Sequence, residues 1–86
     1  MKPEQLELER LRQYASELQA AADDFAHQIR RCQDMLERAG GRAAATESRL
    51  HTLRKNSALT LTELEDINNR IQKLRARRRA REKDSA

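Results

Sequence analysis

Phe25-Ala26-His27-Gln28-Ile29-Arg30-Arg31-Cys32-Gln33-Asp34-Met35-Leu36-Glu37-Arg38-Ala39-Gly40-Gly41-Arg42-Ala43 is the stretch on which the fold turns. Its apolar side chains Phe25, Ile29, Cys32, Leu36, Ala39 and Ala43 are spaced alternately four and three residues apart. That beat of 3.5 residues marks the a and d positions of a heptad, which share one stripe along a helix. Gly40 and Gly41 are the only two glycines in the chain. Each costs a helix interior up to about 1 kcal/mol relative to alanine, while offering the positive φ that a tight turn between helices needs.

The beat extends in both directions. Leu8, Leu11, Ala15, Leu18 and Ala22 continue it backwards, and Leu50, Leu53, Leu64, Ile67, Ile71 and Leu74 continue it forwards. Ser57 and Thr60 interrupt the forward run with polar side chains at seam positions. Such residues commonly set register and oligomeric state at some cost in stability. Pro3 suits the first turn of a helix. Glu4, Glu7 and Glu9 follow it, and Arg and Lys crowd the far end of the chain, so both termini match the helix dipole. The spacing predicts one all-α domain over 1–86: a helix over about 4–39, a turn at 40–42, and a helix over about 43–82 ending in a basic extension.

Two architectures satisfy this pattern. One is an antiparallel, coiled-coil-like helical hairpin folded at Gly40-Gly41, with Leu8, Leu11, Leu18, Phe25, Ile29, Cys32 and Leu36 facing Leu50, Leu53, Leu64, Ile67, Ile71 and Leu74. The other is a single long helix in a parallel coiled coil, because the heptad phase runs unbroken through Leu36, Ala43 and Leu50. The paired glycines, the thin seam at Ala39, Ala43 and Thr46, and the acidic start that a hairpin would lay beside the basic end favour the hairpin. Tyr14, Ala21 and Met35 flank the seam on one side and Leu61 on the other. These apolar residues widen the sticky surface beyond what one hairpin covers, so they are the candidate partner contacts. The expected assembly is a dimer, a four-helix bundle, or a complex with a helical partner.

The 86 residues carry 37% charged side chains and a net charge of +4. A single core in so short a chain is marginal without metal, disulfides or association. The charge is uneven: residues 1–39 hold six basic and eight acidic side chains, whereas 70–86 hold eight basic and two acidic. Arg70, Lys73, Arg75, Arg77, Arg78, Arg79 and Arg81 therefore form a possible anion-binding tract. Clustered Arg can displace counterions from nucleic acid, although no aromatic lies near to stack a base. The one cysteine cannot form an intramolecular disulfide, the start of the chain lacks an apolar run, and no stretch approaches a membrane span. A cytoplasmic location is the expectation.

Catalytic and metal chemistry find little support. His27 and His51 fall on outward rows, and neither has a second histidine or a cysteine three or four residues away. Cys32 sits at a seam position, where a free thiol packs as a small hydrophobe. Asp23-Asp24 and Glu63, Glu65 and Asp66 lack calcium-loop spacing and read as solvated helix face. Neither enzyme activity nor a cofactor is expected.

In size and outline the chain resembles small helical hairpins such as plasmid copy-number regulators of the Rop type. It is similar in the same way to the hairpin co-chaperones of bacterial type III secretion needle subunits. The likeness is one of outline (helix, glycine pair, helix) and carries over no functional position. The leading expectation is a non-enzymatic interaction module acting as an adaptor, co-chaperone or assembly subunit. The alternative is a nucleic-acid-binding protein that uses the Arg-rich end.

Overall fold

The computed structural model describes residues 3–40 and 43–84. Two helices account for nearly all of them: α1 over Pro3–Arg38 and α2 over Ala44–Asp84. Of the expected turn at 40–42, Gly41 and Arg42 lie outside the described residues.

Helix α1 starts with proline because the first helical amide has no intrahelical acceptor to lose. It ends where the backbone reverses hand. Gly40 adopts φ +62° and its amide donates to the Glu37 carbonyl at 3.2 Å, while Ala39 donates to Met35 at 3.0 Å. This is the left-handed glycine closure that satisfies last-turn carbonyls. Helix α2 opens with the Glu47 amide donating to the Ala43 carbonyl at 3.0 Å. Along its exposed face the Thr52 and Thr62 hydroxyls donate to the Ser48 and Ala58 carbonyls one turn back, which lets threonine sit mid-helix without an unpaired hydroxyl.

The helices pack antiparallel, and the seam joins residues near the start of α1 to residues near the end of α2. Leu8 and Leu11 are buried with Ile67 and Ile71, flanked by Ala15, Leu18 and Leu74. A second cluster buries Cys32 with Leu50 and Leu53, flanked by Phe25, Ile29 and Leu36. The unbroken helix of the parallel alternative is not formed, since α1 stops at Arg38 and α2 begins at Ala44.

Of the thirteen expected seam residues, Leu18, Phe25, Ile29, Leu36 and Leu74 are only partly buried, and among the described residues no side chain is completely sealed. A two-helix pair has no third layer to close over its flanks, so the rim of the seam stays wet. Between the clusters the seam narrows to buried Ala22 and half-buried Ser57 and Thr60. The pair is a rod with extents of 66 × 19 × 14 Å. Its radius of gyration is 19.4 Å, against about 12 Å for a compact domain of this length.

Candidate interaction surface

The heptad rows beside the seam become two flanks once the helices are antiparallel. One flank is fixed by two contacts across the helices: the Tyr14 hydroxyl donates to the Glu63 carboxylate, and Arg70 lies 3.7 Å from Glu7. Glu7, Tyr14, Glu63 and Arg70 all belong to the row that also carries Ala21 and Met35. Leu61 belongs to the opposite flank by its heptad position. The four candidate partner contacts are therefore divided, three on one side and one on the other. Tyr14, Met35 and Leu61 are 41, 55 and 50% exposed, and Ala21 is half-buried. Leu59, not among the expected contacts, is the most exposed large apolar side chain among the described residues, at 61%.

Tyr14 is the best-defined group on its flank. Its bond to Glu63 holds the phenol proton, and desolvation and the Glu63 and Glu17 charges act in the same direction, so its pKa is raised. Glu4, at the open end, is shifted the other way. Its carboxylate accepts a hydrogen bond from Arg81, and Arg81, Arg77 and Arg78 favour its charge, which outweighs partial desolvation. Two members of the possible anion-binding tract, Arg70 and Arg81, are thus engaged by acidic side chains of α1. Exposed pairs of this kind are screened by water and salt and add little to stability.

The rest of the tract is differently placed. Arg75, Arg78 and Arg79 line a groove of about 500 Å³ together with Leu8, Glu82 and Arg12 from the other helix. On the Tyr14 flank, Lys73 and Arg77 border a smaller recess of about 230 Å³ with Glu7, Arg70 and Leu74. The contribution of Arg12 was not anticipated from the sequence, because it lies more than sixty residues away along the chain from the arginines that it joins.

His27 and His51 are exposed, and Cys32 is a free, buried thiol inside the second cluster. Among the described residues no three His, Cys, Asp or Glu side chains gather as a metal-holding group, and no helix is long and apolar enough to cross a membrane.

No family model, curated protein or solved structure matches the chain.

Proposed function

We propose that this protein is a non-enzymatic helical interaction module, an adaptor, co-chaperone or assembly subunit of the cytoplasm, that packs its seam flanks against another helical surface. One observation carries the reading. The chain exposes 6885 Å² for a mass of 10.0 kDa, whereas a compact monomer of that mass exposes about 5,200 Å². The excess is roughly twice the ~800 Å² that each partner buries in a standard interface. Exposed Tyr14, Met35, Leu59 and Leu61 lie within that surplus. The test is light scattering coupled to gel filtration of the wild type and of Tyr14→Glu/Met35→Glu. The wild type is expected to run as an oligomer or to capture a helical partner, and the double variant to lose that association while keeping its helical circular dichroism. A double variant that associates as well as wild type would remove the reading.

The gathering of Arg12 with Arg75, Arg78 and Arg79 favours a second reading, nucleic-acid binding through phosphate neutralisation. Titration of duplex and single-stranded nucleic acid at two salt concentrations separates the two readings. This one requires binding that weakens steeply with salt.

A further inference from the structure

The fold sorts charge into three zones along the rod. Residues 13–26 and 57–69, which the antiparallel seam lays side by side, hold six acidic side chains and no Lys or Arg. Beyond this waist the described residues of the open end, 3–12 with 70–84, have a net charge of +5, and those of the turn end, 27–40 with 43–56, have +3. Four of the six waist carboxylates take neutral partners. Glu17, Asp23 and Asp24 accept from the amides of Gln13, Gln19 and Gln28 at 3.3, 3.0 and 2.7 Å, and Glu63 accepts from Tyr14. Among the described residues no Lys or Arg pairs with any of the six.

Carrying the interaction-module reading further, on which this step rests, we infer that the partner is a second copy of the same chain, docked antiparallel and staggered by one zone. Two rods in full overlap, parallel or antiparallel, set waist against waist and basic end against basic end. Like charges then face one another along the whole length, which is repulsive. An antiparallel stagger instead sets each open end on the other copy's waist, and both contacts are satisfied at once about one two-fold axis. A two-fold interface requires this self-complementarity.

The Tyr14 flank supplies the chemistry on both halves. At the open end it presents Arg10, Lys73 and Arg77 beside the Glu7–Arg70 pair. At the waist it presents Glu17, Asp24, Glu63 and Asp66, interleaved with exposed Tyr14 and Leu59. The axis falls near residues 12 and 70, which places Tyr14 at the centre of the contact. The overlap is roughly 45 Å long at 1.5 Å rise per residue. Across a rod 19 Å wide, that gives a footprint of up to roughly 850 Å² per copy, near the standard size.

The test pairs two charge-reversed proteins, Asp24→Lys/Asp66→Lys and Lys73→Glu/Arg77→Glu, each checked for helicity by circular dichroism. None of the four side chains is buried. In sedimentation equilibrium at about 50 mM salt, wild type is expected to dimerise, and to weaken at least tenfold at about 500 mM, where the screening length falls to a few ångströms. Each reversed protein alone is expected to be monomeric, and an equimolar mixture to restore a one-to-one heterodimer. Small-angle scattering of the wild-type dimer is expected to give a maximum dimension of about 85 Å, from 28 residues on either side of the axis, rather than the 66 Å of an eclipsed bundle. A salt-insensitive dimer, an eclipsed length, or a mixture that stays monomeric overturns the stagger. A wild type that is monomeric alone but binds a helical partner overturns the second-copy inference while leaving the interaction-module reading standing.

Discussion

At Gly40 the left-handed backbone closes α1, and a Cβ added there would meet nothing within 4 Å. The cost of Gly40→Ala is therefore conformational alone, about 1 kcal/mol. Thermal denaturation followed by circular dichroism should show a midpoint about 4–8 °C lower, as expected for a domain of this size. An unchanged midpoint would mean that the closure contributes nothing. Tyr14 and Glu4 make opposite predictions with pH. Tyr14 is raised by its bond to Glu63, so its contribution is complete below the ordinary tyrosine value and disappears as pH rises through the raised one. Spectrophotometric titration should place the folded phenol above that of the denatured chain, and Glu63→Gln should bring the two together. Glu4 is lowered, so its contribution holds above the ordinary glutamate range and is lost as pH falls through the lowered value. The pairing of acidic start with basic end was readable from the sequence. The Tyr14–Glu63 bond was not, because it depends on which neighbouring rows meet.

Each helix follows from its own stretch of chain, and the seam rows are where the elements depend on one another. Ile67 is 8% exposed within the first cluster, whereas Leu59 is 61% exposed on the same helix. Ile67→Ala removes buried methyl groups and leaves a gap, and should cost roughly 2–4 kcal/mol. Leu59→Ala should stay within about 0.5 kcal/mol of wild type in dilute solution. Urea denaturation of both variants checks the contrast, and equal losses would contradict the assigned faces. Helix α1 ends at Arg38, two residues before Gly40, and α2 runs to Asp84, the last described residue. Such boundaries are legible because proline, glycine and the dipole act locally. The polar interruption at Ser57 and Thr60 was legible too, whereas the division of the core into two clusters appears only in the structure. The partial exposure of Phe25 and Ile29 was not, because burial depends on how much neighbouring matter closes over a side chain.

A rod this thin has too much surface for its mass, and that is the whole-molecule reason to expect association. If the chain self-associates at low salt, its thermal midpoint should rise with protein concentration, because mass action favours the assembled native state. A midpoint independent of concentration over a hundredfold range would show that the isolated pair carries its own stability. High salt should flatten the dependence, since it screens the waist from the basic ends.

The seven-residue beat by itself determined that the chain is helical and which side chains share its apolar stripe, because helix geometry places residues three and four apart on one face whatever lies around them. It left open whether the stripe closes on its own chain, since a heptad that keeps phase through the glycines is compatible with both a fold-back and a continuous helix. The fold-back decided what meets across the seam: Arg12 with Arg75, Tyr14 with Glu63, and two uncharged-to-acidic segments as one acidic waist. Those encounters join residues more than thirty positions apart, and local periodicity places no constraint on such pairs until the backbone reverses at Gly40.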